Sequence, residues 1–152
     1  MTRYLLLMIS LPDVNILLAL VAAGHTHHES ARKWFEMQAP DTVAICRVTQ
    51  MGLLRLLTNP KVLPAGVFSI ERAWEIADEI LADKRVFFEL EPTGLDASWI
   101  GMMRHKAAGA SSWTDAYLAA FADGHGYEMV TFDRGFARWS QLTLNLLARP
   151  SA

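Results

Sequence analysis

Leu11-Pro-Asp-Val-Asn-Ile-Leu-Leu-Ala-Leu20 sets an aspartate and an asparagine between two apolar runs of eight residues, 4–11 and 16–23. Proline has no N–H to give a strand ladder, so the first run reads as a buried strand over 4–12 that stops there. The second run follows a residue type that caps helices and is predicted helical over 14–23. Asp13 therefore stands where a strand hands over to a helix. A carboxylate in such apolar surroundings is costly unless it is exposed, paired, hydrogen-bonded or bound to a metal.

The same alternation continues outward. Helix spacing appears over 28–38 through Ala31, Trp34 and Phe35, and a β-prone run over 42–46 precedes a helix carrying Met51, Leu54 and Leu57 that stops near Asn59-Pro60. Ser69 opens a helix to about Asp83 with Glu71 in its first turn. Residues 86–90 read as a strand, 95–106 and 112–123 as helices, and 127–132 and 142–147 as strands. Strands alternating with helices imply βαβ units, hence an α/β fold with a mostly parallel sheet covered on both faces.

The 152 residues are 52% hydrophobic and 20% charged, enough apolar surface for one packed domain over 1–152 and too little charge for a disordered chain. Cys46 is the only cysteine, which excludes an internal disulfide and suits a reducing compartment. A net charge of −2 gives no overall basic signal, so a nucleic-acid partner must be held by local cations or a metal. Arg3 and the apolar residues after it have the outline of a signal peptide. Pro12, Asp13 and Asn15 interrupt it, and each apolar run falls far short of the ~20 residues that cross a bilayer. The expectation is a soluble, cytoplasmic protein without a membrane span.

Three acids fall at element ends. Ser112 and Asp115 have capping-box spacing, which puts Asp115 in the first turn of an almost wholly apolar helix. That helix stops at Gly124-His-Gly126, and the chain returns over 127–131. A helix from Asp115 to Asp123 and a strand over 127–131 have nearly equal rise, roughly 12 and 13 Å, so Asp133 comes level with Asp115. Asp13 and Gln50 each follow a strand as well. All four point to the carboxyl edge of the sheet, where α/β folds place their functional crevice. Each acid alone has an ordinary use: Asp13 as a helix cap, Asp115 in a capping box, Asp133 in a turn before Gly135. Together they raise one another's pKa unless a divalent cation neutralises them, and oxygen-rich acidic sites favour Mg²⁺ or Mn²⁺.

Leu11-Pro-Asp-Val-Asn-Ile-Leu-Leu-Ala-Leu20, Val48-Thr-Gln-Met-Gly-Leu-Leu-Arg-Leu-Leu-Thr-Asn-Pro60, Trp113-Thr-Asp-Ala-Tyr-Leu-Ala-Ala-Phe-Ala122 and Val130-Thr-Phe-Asp-Arg-Gly-Phe136 resemble, in order, the motifs of PIN-domain ribonucleases, above all the VapC toxins of toxin–antitoxin systems. His27-His28-Glu29 ahead of a helix with Trp34 is similar to that group too. The resemblance implies a three-layer α/β/α sandwich with a five-stranded sheet. It implies an Mg²⁺-dependent endoribonuclease, Mn²⁺ being a possible substitute, that acts on structured RNA such as tRNA or ribosomal loops. It also implies a homodimer and a cognate VapB-type antitoxin. By motif, Asp13, Asp115 and Asp133 take the positions of the family's first, third and fourth acids and would hold the metal. Gln50 stands where the family usually has a glutamate, leaving three formal charges where four are usual. Asn15 and Thr131 are candidates to orient the carboxylates or their waters. The competing reading is a PIN-like domain that binds RNA or antitoxin but cuts weakly or not at all, because Gln50 replaces the acid.

Other features read as structural. His25-Thr-His-His28 lacks zinc spacing and a cysteine pair and suits a helix start. Cys46 suits the core. Trp34, Trp74, Trp99, Trp113 and Trp139 are expected to pack, and Arg104, Lys106, Arg134 and Arg138 are candidate phosphate contacts or solvated charges. A haloacid-dehalogenase-type phosphatase would need a second aspartate where Asn15 stands, and a receiver domain would need a paired acid and a lysine that are not found.

Overall fold

The computed structural model describes residues 7–148. The chain runs β1 (Ser10–Pro12), α1 (Val14–Val21), α2 (His28–Glu36), β2 (Val43–Ile45), α3 (Arg47–Leu57), α4 (Ile70–Ala82), β3 (Val86–Phe88), α5 (Leu95–Met103), α6 (Trp113–His125), β4 (Glu128–Thr131) and β5 (Thr143–Leu146). Short 3₁₀ turns, Ala110–Ser112 and Arg134–Arg138, precede α6 and follow β4. The strands are shorter than the apolar runs that predicted them, and residues 4–6 of the first predicted strand lie outside the described residues.

The five strands form one sheet in the order β3-β2-β1-β4-β5, and every neighbouring pair is parallel. The expected mostly parallel sheet is thus wholly parallel. Alternation along the strands decides which layer each residue enters. Val43 and Ile45 of β2 and Val130 of β4 pack with Ile16, Leu17, Leu53 and Ile76 under α1, α3 and α4. Ala44 of β2, Leu11 of β1 and Met129 of β4 face the opposite cluster, built on Leu118, Phe121 and Met102 of α5 and α6. The result is a three-layer α/β/α sandwich. Trp34 and Trp139 are buried as expected, whereas Trp74 and Trp113 are about half exposed. Cys46 is in the core.

Local rules bring the element ends to one rim. Pro12 closes β1, and the next residue's N–H, that of Asp13, donates to the Val130 carbonyl of β4 at 2.8 Å. Helix α6 is buried along most of its length and runs one residue past Gly124. Gly126 ends it in the left-handed region at φ +71°, which glycine adopts without strain. The Tyr127 N–H closes that turn on the Ala122 carbonyl at 2.8 Å. Helix α3 lies so close to the start of α1 that a Cβ on Gly52 would meet a Val14 methyl at 2.7 Å.

One expected device is absent. Ser112 does not cap α6 with its side chain. Its hydroxyl instead accepts from the Gly109 N–H at 3.2 Å and from Arg138 Nη1 at 2.9 Å, because the 3₁₀ turn ahead of the helix leaves Ser112 already helical.

Candidate active site

Asp13 is the N-cap residue of α1, so its backbone is fixed before its side chain is considered. One carboxylate oxygen, Oδ1, accepts from the Val14 N–H at 2.7 Å; the other, Oδ2, accepts from the Thr131 hydroxyl at 3.0 Å. The same hydroxyl accepts from the Asp133 N–H at 3.0 Å. Thr131, fully buried at the end of β4, thereby ties the first acid's side chain to the last acid's backbone. The Asp133 carboxylate accepts from the Gly135 N–H at 2.7 Å, the turn expected from its sequence.

The cleft at this rim has a volume of about 630 Å³, and its walls include Asp13, Asn15, Asp115 and Asp133. Three segments far apart in the chain contribute them: the start of α1, the first turn of α6 and the turn after β4. The electrostatics follow from that crowding. Burial pushes Asp13 from its ordinary 3.8 to about 6; the Thr131 hydroxyl opposes this, and the charges of Asp115 and Asp133 add to it. Asp115 is also raised, by burial and then by Asp133, with Arg138 opposing.

Gln50 follows β2 at the carboxyl end of the sheet, as expected, but is turned inward. It is buried in the first turn of α3 and does not line the cleft. Its amide oxygen accepts from Arg47 Nη1 at 2.5 Å. Conversely, Arg55 and Thr114 line the cleft without having been picked out from the sequence. Arg55 is the only cation on those walls and forms no ion pair among the described residues. An arginine among leucines reads as a solvent-facing helix residue; only the seating of α3 against α1 shows which cleft it faces. Of the cations named from sequence, Arg138 is engaged elsewhere: it donates to the Gly135 carbonyl and to Ser112, and lies over Trp139 at 4.7 Å. None of Arg104, Lys106, Arg134 and Arg138 lines the cleft.

The donor set bears on a metal. Among the described residues no group of three or more His, Cys, Asp or Glu side chains is placed to hold a metal ion. Hard carboxylate oxygens around an open cleft instead suit an ion such as Mg²⁺, which binds through one or two carboxylates and keeps several waters. Zinc, which needs a tight tetrahedral set, does not fit.

Known proteins agree with this architecture. The family model of the PIN domain matches residues 10–142. Ribonuclease VapC41 of Mycobacterium tuberculosis is 41% identical over 142 residues, covering 90% of this chain and 97% of that protein. Among solved structures, VapC20 of Mycobacterium tuberculosis, a sarcin-ricin loop cleaving toxin, aligns with a TM-score of 0.68 at 22% identity over 93% of this chain and 99% of its own. The VapBC2 assembly of Rickettsia felis, bound to a DNA fragment from its promoter, contains a chain that aligns with a TM-score of 0.65 at 16% identity over 93% of this chain and 100% of that one. At those identities the solved structures speak for the fold, and the family assignment rests on the domain match together with the 41% relative. The chain belongs to the PIN-domain family and, within it, to the VapC-type ribonuclease toxins.

Proposed function

We propose that the protein is the toxin of a VapBC-type toxin–antitoxin pair, an endoribonuclease of the cytoplasm that hydrolyses RNA phosphodiester bonds with the help of a divalent cation. The observation that carries this reading is the meeting of Asp13, Asp115 and Asp133, from three distant segments, on one open cleft at the carboxyl rim of a parallel sheet. Asp13 and Asp115, with Asp133 directly or through water, would hold Mg²⁺, or Mn²⁺ in its place. When bound, such an ion polarises the scissile phosphate and lowers the pKa of a coordinated water.

The chain's own residues have separable tasks in this reading. Thr131 fixes Asp13 Oδ2 and, through the Asp133 N–H, the turn that presents Asp133. Asn15, exposed at the cleft, is placed to orient a water or a phosphate oxygen. Arg55 offsets the repulsion between three acids and an incoming polyanion. Gln50 acts as a positioning residue through Arg47 rather than as a fourth acid. Partners follow from the family: a VapB-type antitoxin and a second copy of the chain. Substrate class is RNA, with tRNA and ribosomal RNA as the family's usual targets.

The test is cleavage of total RNA in Mg²⁺ or Mn²⁺ by the parent, Asp13→Asn and Gln50→Glu. The expected pattern is cutting by the parent, none by Asp13→Asn, and equal or tighter metal binding by Gln50→Glu. Full activity in Asp13→Asn, or cutting that persists in chelator, would overturn the mechanism. A parent that never cuts beside a Gln50→Glu that does would favour the binding-only domain.

A further inference from the structure

A second, smaller cleft of about 400 Å³ adjoins the first, and Asn15 and Asp133 belong to the walls of both. Its other lining residues are His25, Thr26, His27 and Phe132. The His27 ring stacks on Phe132 with centroids 4.5 Å apart and planes 26° from parallel. His25 lies beside it at 5.6 Å, steered by a hydrogen bond in which its Nδ1 accepts from the His27 N–H at 3.0 Å. His27 Nδ1 is buried and has no hydrogen-bond partner among the described residues.

A phosphodiester received at the acids must project a nucleoside to either side. Whatever leaves the acid cleft past Asn15 and Asp133 enters this annex. Flat aromatic and imidazole surfaces are the chemistry on which an unstacked base settles. A metal site is the weaker reading, because His25 Nδ1 already accepts from the His27 N–H and His27 Nδ1 is buried. A purely structural histidine is weaker too, since buried polar atoms in that role are normally satisfied.

We propose that this annex is a nucleobase subsite, taking the base of a nucleotide that adjoins the scissile phosphate, with His27 as its stacking residue. The inference rests on the RNA-cleaving reading of the acid cleft. His25 and His27 supply the stacking surface.

The experiment separates this inference from the nuclease reading. Fluorescein-labelled ten-nucleotide oligo(A) and oligo(U), and an abasic ribose-phosphate strand of equal length, are titrated by anisotropy against Asp13→Asn. The same titrations are run on Asp13→Asn/His27→Ala, Asp13→Asn/His27→Phe and Asp13→Asn/His25→Ala. Stacking of a base supports a roughly tenfold preference for a base-bearing strand over the abasic one. That preference is expected in Asp13→Asn, lost in the His27→Ala protein and largely restored by His27→Phe, which keeps the ring. No preference in Asp13→Asn, or one that survives His27→Ala, overturns the subsite. Should His27→Ala fail to fold, a preference undiminished in the His25→Ala protein overturns it instead. If the parent cuts no RNA, the nuclease reading falls, while the base-against-abasic comparison still decides the subsite.

Discussion

Asp13 is buried with only two hydrogen bonds to its carboxylate, and burial holds its pKa near 6. The folded chain therefore binds more protons at this group than the unfolded chain does between about pH 4 and 6. Linkage then makes stability fall as pH rises through that window. The gap between 3.8 and about 6 corresponds to about 3 kcal/mol. Urea unfolding in chelator is expected to show the parent losing about that much relative to Asp13→Asn between pH 4 and pH 7. Parallel profiles for the two proteins would contradict it. Thr131→Val removes the one hydroxyl that serves both Asp13 and Asp133. Cleavage should drop about 10–100-fold, as for other partners of metal-holding groups, and Thr131→Ser should retain it. Loss of a buried partner should also lower unfolding stability by about 1–3 kcal/mol. The three aspartates were legible in the sequence because local rules put polar residues at strand and helix ends. The Gln50–Arg47 pairing and the placing of Arg55 were not, since both depend on how α3 is rotated against its neighbours.

Helices and strands were legible from periodicity, and their ends from proline, serine and glycine. Pro12 and Ser69 act as expected at the end of β1 and the start of α4, and Gly126 ends α6. Ser112 does not act as a cap, because a 3₁₀ turn that no apolar period announces takes up its hydroxyl. Strand order was hidden, since it is set by pairing between segments such as Ser10 and Glu128 that lie over a hundred residues apart. The packing of α3 on α1 is testable through Gly52→Ala. Alanine adds roughly 1 kcal/mol of helix propensity. The Val14 methyl at 2.7 Å must then move, and overpacking costs about 1–3 kcal/mol. Since Val14 is a stiff β-branched side chain directly after Asp13, the clash should prevail. A net destabilisation of about 1 kcal/mol, read by thermal unfolding, should accompany a fall in RNA cleavage. A more stable, fully active Gly52→Ala would show that the helices yield freely.

At the scale of the whole molecule, the sheet order puts β1 beside β4, so the acids after these two strands meet at the middle of the sheet rather than at an edge. Burial first, and mutual repulsion after it, is a standing cost of the cation-free chain, visible in the raised Asp13 and Asp115. Mg²⁺ should therefore raise the melting temperature of the parent at pH 7 by mass action, since only the folded chain assembles the acids. Differential scanning fluorimetry should find this increment missing in Asp13→Asn. An equal increment in both proteins would place the bound cation elsewhere.

The adjacency of β1 and β4 also sets a timetable. Ribosomes deliver Asp13 long before its neighbouring strand, and β1 stays open along one side until Glu128–Thr131 arrives to close it. The 118 residues from Val14 to Thr131 must be made before the hydroxyl that steadies the first carboxylate exists. A cell translating this protein thus handles a chain whose acid cleft cannot assemble until Asp133 has been made. Any nascent chain released before Glu128 lacks both the strand that completes the centre of the sheet and Asp133.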